Sequence, residues 1–116
     1  MKFKNELTEN VYGYDIVIAE GKDYASKLYY INPGAIIGLR INQFKEHTIY
    51  VVAGSVRAWK NTNINDWTDI AAGESYHVVP GSYYRYQASP DQTSAAVVIE
   101  ISSNCKNDLN IVENNY

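Results

Sequence analysis

With one cysteine, two histidines, three prolines and no long apolar run, the chain is constrained first by what it has little of. A lone thiol, Cys105, cannot close an intrachain disulfide, so a reducing, cytoplasmic setting is expected and the fold must hold by packing. No stretch approaches the roughly 20 apolar residues of a membrane helix. The opening MKFKNELTEN lacks the apolar centre of a secretory signal, so no membrane partner is expected. Lysine and arginine number 10 against 13 aspartates and glutamates, a net charge of −3, which argues against an electrostatic nucleic-acid binder. No glycine-rich loop opens a helix, so a nucleotide-binding domain is excluded.

What the chain does have is tyrosine, 11 of its 116 residues. Tyrosine suits half-buried strand surfaces and offers a hydroxyl to a ligand. The length allows one domain with one core. Residues 1–10 are polar and read as a flexible segment, and 11–116 read as the domain with its C-terminal tail.

From Val11 the runs VYGYDIVIAE, KLYYIN, SVRAWK, DWTDIAA, YHVV, YYRYQA and SAAVVIEIS read as strands. Pro33-Gly34 and Pro80-Gly81 are turn pairs, a fixed φ followed by a permissive one. The asparagine-rich tail NCKNDLNIVENNY reads as a turn or short helix on the outside. Nine or ten short strands and no amphipathic helix predict an all-β sandwich or jelly-roll barrel.

The centre of this pattern is PGAIIGLRINQFKEHTIYVVAGSV, residues 33–56. It holds two strand-like runs, Ala35–Ile41 and Thr48–Ala53, around a polar interruption. Strict alternation puts Gly38, Arg40 and Asn42 on one face and Ile37, Leu39 and Ile41 on the other. The polar set is expected to point inward. The apolar set is expected to face outward and to form a homodimer contact.

Gly34, Gly54, Gly73 and Gly81 stand at the spacings of the two cupin motifs, and the sequence resembles that superfamily. Within it, VYGYDIVIAE, KLYYINPG, GESYHVVPGSYYR, IEIS and DLNIVENNY resemble the C-terminal domain of bifunctional mannose-6-phosphate isomerase/mannose-1-phosphate guanylyltransferase and its small stand-alone relatives. The resemblance implies a single-domain antiparallel jelly-roll barrel, the double-stranded β-helix. It also implies a divalent metal held by imidazoles and a carboxylate. The four matching positions carry Arg40, Asn42, His47 and Tyr84. Arginine is a permanent cation, and an amide and an un-ionised phenol are poor ligands. Phe44 removes one more donor position. The expectation is therefore that the family metal is lost and that no cofactor is bound.

Three readings follow. In the first, the barrel binds a small polar ligand such as a sugar or sugar phosphate, without catalysis. Tyr84 and Tyr86 share a strand face, Tyr29 shares one with Lys27, and with Phe44 they either wall a sugar-sized pocket or pack as ordinary core. Arg40, if inward, needs an acidic partner or an anion. Glu100 is the first partner expected, and a phosphate or carboxylate is the external alternative. In the second reading, a metal-independent sugar or sugar-nucleotide isomerase or epimerase uses His47 and Tyr84 as base and acid, with Arg40 or Lys27 on an enolate or phosphate. In the third, the barrel is a structural dimerisation module and His47 is simply satisfied in its mouth.

Overall fold

Buried and less buried positions alternate along the C-terminal run Ala96–Ser103, the period of two that a strand imposes when one face meets a core. The same logic governs most of the chain. The computed structural model describes residues 2, 4–104 and 109–111, and they contain eleven strands and no helix. These are β1 (Leu7–Asn10), β2 (Gly13–Glu20), β3 (Tyr24–Ile31), β4 (Ile36–Asn42), β5 (His47–Ala53) and β6 (Ser55–Trp59). There follow β7 (Trp67–Ala71), β8 (Ser75–Val78), β9 (Tyr83–Ala88), β10 (Ala96–Ser103) and β11 (Leu109–Ile111).

Two antiparallel sheets face each other, ordered β1-β2-β3-β10-β5-β8 and β11-β4-β9-β6-β7. This is the jelly roll of the double-stranded β-helix. Between the sheets Ile31, Ile49, Val51, Val56, Ala88 and Ala96 are at most 1% exposed. Each buried aliphatic side chain of valine or isoleucine size contributes roughly 1.5–3 kcal/mol, so the core holds without a cross-link. Among the described residues no helix is long and apolar enough to cross a membrane.

Three expectations need correction. Ile37 does not face outward. The pairing of β4 with β9 slips between Ile37 and Arg40, so that Ile37 lies opposite Tyr86 and Arg40 opposite Tyr84. Two residues of β4, Gly38 and Leu39, thus span one position of β9, a β-bulge that restores Ile37 and Arg40 to one face. Ile37 is 3% exposed and joins the core, and Leu39 is 2% exposed on the other side. The supposed bare apolar face of β4 is therefore not bare. The second correction concerns the tail. Residues 109–111 are not helical but pair with β4 as strand β11. The remaining tail positions, Cys105 among them, lie outside the described residues. The third concerns the N-terminus, where four residues of the segment read as flexible form β1 on β2, all exposed.

Candidate functional site

The barrel interior is apolar at one end and polar at the other. The β4 bulge delivers Arg40 to the polar end, beside Tyr84 on β9. Across the barrel β10 runs between β3 and β5, and its inward positions change from Ala96 and Val98 to Glu100. Glu100 lies opposite Lys27 on β3 and Ile49 on β5. Tyr29, on the same face of β3 as Lys27, donates its hydroxyl to Glu100 Oε1 at 3.5 Å.

A cavity opens between these side chains. It is lined by Tyr29, Arg40, Tyr84, Tyr86 and Glu100 over an aliphatic floor that includes Ile37 and Val98. Its volume is about 10 Å³, close to the roughly 10–15 Å³ that one water requires on the same measure. The tyrosine rings occupy most of the space a larger ligand would need. Arg40, in the cavity wall, is half-buried.

The electrostatics follow from burial. Burial pushes the Glu100 carboxyl up, against the charges of Lys45, Lys27 and Arg40 and the Tyr29 hydroxyl, which favour the anion. Tyr84 is pushed up to about 12, by burial first and by Glu100 second. Tyr29 and Tyr86 are raised for the same two reasons. The phenols therefore stay protonated and act as hydrogen-bond donors.

The ion pair expected between Arg40 and Glu100 is not formed. Among the described residues the ion pair is Arg57–Asp69 at 3.3 Å, and His77 Nε2 lies 3.4 Å from Glu46 Oε2, both contacts partly exposed. Arg40 Nε is buried without a hydrogen-bond partner in the protein, although the guanidinium reaches the Tyr84 phenol and favours its ionised form. A buried cationic donor left so is costly, and each such group in a native fold calls for an explanation.

His47 sits behind the tyrosines rather than in the cavity wall. Its side chain is 1% exposed, its Nε2 meets the Tyr86 hydroxyl at 2.7 Å, and its ring stands edge-on to Tyr84 at 4.5 Å. Burial lowers its pKa to about 4, helped by the charges of Lys45 and His77, so the ring is neutral at physiological pH. Asn42 donates to the Tyr84 hydroxyl at 3.5 Å. Asn42 Oδ1 and His47 Nδ1 are buried without partners, like Arg40 Nε. The structure thus brings Arg40, Asn42 and His47 together around Tyr84.

That set does not suit a divalent cation. A guanidinium stands at one of the four positions, a protonated phenol at another, and the one imidazole has its Nε2 engaged by Tyr86. Among the described residues no group of three or more histidine, cysteine, aspartate or glutamate side chains is placed to hold a metal ion.

Two of the expected ligand residues lie apart. Phe44 is in the bend between β4 and β5 and is 73% exposed, so it walls no part of the cavity. Lys27 is half-buried beside Glu100 and acts on it by charge, without lining the cavity. Two residues not singled out in the sequence belong to the polar end. Tyr12 donates to Asp15 Oδ2 at 2.9 Å, Asn10 donates to the same oxygen at 2.8 Å, and the Tyr12 ring lies 6.2 Å from that of Tyr29. Burial raises Tyr12, Asp15 adds to the rise, and the charges of Arg40 and Glu100 reach it too. The motif Val11–Asp15 reads as plain strand, whereas Tyr12 sits in the turn before β2 and folds inward.

No protein-family model matches the sequence, and no curated protein matches it. Solved structures match by fold. A conserved protein with a double-stranded β-helix domain from Klebsiella pneumoniae aligns with a TM-score of 0.75 and 17% identity, over 91% of this chain and 86% of that one. The capsular polysaccharide assembling protein CapF of Staphylococcus aureus aligns with a TM-score of 0.82 and 14% identity, over 97% of this chain but 35% of that one. A variant of oxalate decarboxylase from Bacillus subtilis gives 0.74 and 18%, over 94% of this chain and 30% of that one. The fold is thereby the double-stranded β-helix of the cupin type. At these identities the likeness extends to the fold alone.

Proposed function

We propose that the protein is a metal-independent binding barrel that takes a small anionic ligand, a sugar phosphate first among them, with Arg40 as the anion receptor. The observation that carries this reading is the buried, unpartnered Nε of Arg40 at a cavity whose other polar groups are phenols and a carboxyl. A guanidinium offers a planar fork of donors that matches phosphate or carboxylate oxygens, and an anion would satisfy and neutralise it together. The cavity itself has room for about one water, so the anion would meet the guanidinium at the cavity mouth, with the ligand's body outside. Two pointers favour sugar chemistry. One is the motif resemblance to the mannose-6-phosphate isomerase domain, and the other is that one structural neighbour is a capsular polysaccharide assembling protein. Catalysis by His47 and Tyr84 is the weaker reading, because His47 is enclosed and neutral and Tyr84 stays protonated.

Thermal melts in inorganic phosphate and in mannose 6-phosphate test the reading. A ligand at a hundredfold excess over Kd stabilises the native state by about 2.7 kcal/mol. The wild type is expected to melt higher with either probe, and Arg40→Met to show no rise. Because no ion pair ties Arg40 to Glu100, Arg40→Met is expected to keep its own stability within about 1 kcal/mol. A loss of about 3–5 kcal/mol, the cost of breaking a buried pair, would instead give Arg40 an internal structural role. A rise that persists in Arg40→Met would remove Arg40 from the site.

A further inference from the structure

Glu100 and Arg40 line the same cavity from opposite sheets, and the space there has room for about one water. Glu100 is 8% exposed, and it accepts a long hydrogen bond of 3.5 Å from the Tyr29 hydroxyl. Three cations favour its ionised form: Lys27 opposite it on β3, Arg40 on β4 and Lys45 in the bend after β4. Burial outweighs them and raises the carboxyl. The phenols of Tyr12, Tyr29, Tyr84 and Tyr86 are all raised and bring no charge to it. On β5 the residue opposite is the apolar Ile49, and His47 on the same face is neutral and engaged by Tyr86.

We propose that Glu100 is the second determinant of the anion site, which takes up its oxyanion together with one proton held on Glu100. This inference rests on the reading of Arg40 as the anion receptor. Two negative groups that share one desolvated space do not both stay ionised, as when paired carboxylates hold a single proton. An oxyanion seated on the guanidinium engages Arg40 and sets a like charge across the cavity from Glu100. Protonation removes that repulsion and turns the carboxyl from an acceptor into a donor. One proton therefore leaves solvent for each oxyanion bound, and affinity falls as pH rises. His47 titrates near pH 4 and the phenols well above neutrality, so neither masks the effect between pH 6 and 8.

Calorimetric titration with inorganic sulfate tests this, because sulfate stays a dianion throughout that range and adds no titration of its own. The wild type is expected to bind sulfate roughly tenfold more weakly at pH 8 than at pH 6, the effect of a one-unit rise in the Glu100 pKa on binding. Its binding heat is expected to change with the ionisation enthalpy of the buffer, as proton uptake requires. Glu100→Gln keeps the shape and cannot ionise, so it is expected to bind equally at both pH values with heat independent of buffer. The buffer comparison needs only the wild type, so it decides the matter even if the variant does not fold. Wild-type binding that depends on neither pH nor buffer overturns the proposal and leaves the Arg40 reading standing. A pH dependence that Glu100→Gln retains places the proton elsewhere and overturns it equally. Binding of phosphate but not of sulfate means that an ionised Glu100 accepts the ligand's own proton, which also overturns it. If neither ion binds at either pH, the anion reading falls as well.

Discussion

The Gly13→Ala variant is expected to lose about 3–5 kcal/mol, the sum of backbone strain and overpacking. Gly13 opens β2 with φ at +146°, outside the range that side chains adopt readily. A methyl group there would sit 2.0 Å from the Tyr30 carbonyl oxygen, which is backbone and cannot swing aside. Relief requires β2 to part from β3 where Gly13 pairs with Ile31, next to the turn that carries Tyr12 into the polar end. Gly73→Ala is the control. Its φ is +89° with no atom within 4 Å of the added carbon, so only conformational strain of about 1–2 kcal/mol is expected. Urea denaturation of both variants measures the difference. Equal losses would mean that the contact with Tyr30 is unimportant.

Mild acid is expected to have an effect of similar size through His47. In the folded protein the ring protonates only near pH 4, whereas in the unfolded chain it protonates from about 6.5. Between those values the unfolded state binds the extra proton, so stability falls as pH falls, by about 3 kcal/mol over the whole window and about 2 kcal/mol between pH 7 and 5. Glu100 has the opposite sign. Its folded pKa is raised, so its contribution is full below the unfolded value and is lost as pH rises through the folded one. The two slopes oppose each other in the wild type. Glu100→Gln isolates the histidine and should show the full decline in urea midpoint from pH 7 to 5. A flat profile in Glu100→Gln would mean that His47 takes up its proton without leaving its place behind Tyr84 and Tyr86.

The fold was legible because the chain obeys a period of two between turn residues. The runs ending at Ile31, Ala53, Trp59 and Ala88 stop where the structure stops them, give or take a residue. The four glycines at cupin spacing all take positive φ at turns, so their positions carried topology and not only breaks. The grouping of Arg40, Asn42, His47 and Tyr84 was also legible, since motif spacing places each on its strand before any side chain is seen.

What was not legible came from breaks in that period. Alternation alone sends Ile37 outward, and only the bulge at Gly38 and Leu39 turns it back. The one hint in IIGLRIN is Gly38, since a glycine inside a strand often marks a bulge, but it does not say on its own that the pairing with β9 slips there. Phe44 followed the aromatic pattern of a pocket wall, but it stands in a bend where no strand face directs it. Tyr12 was missed for the converse reason, since a turn residue shows no periodicity and its inward course is set by Asp15 and Asn10.

The central claim is that the polar end of this barrel serves an anion through Arg40 and not a metal. Calorimetric titration of the wild type with mannose 6-phosphate in the presence of EDTA tests it most directly. The account predicts one site per chain, with heat that chelator leaves unchanged and Arg40→Met abolishes. Heat that appears only after a divalent metal is restored, or that Arg40→Met retains, would contradict it.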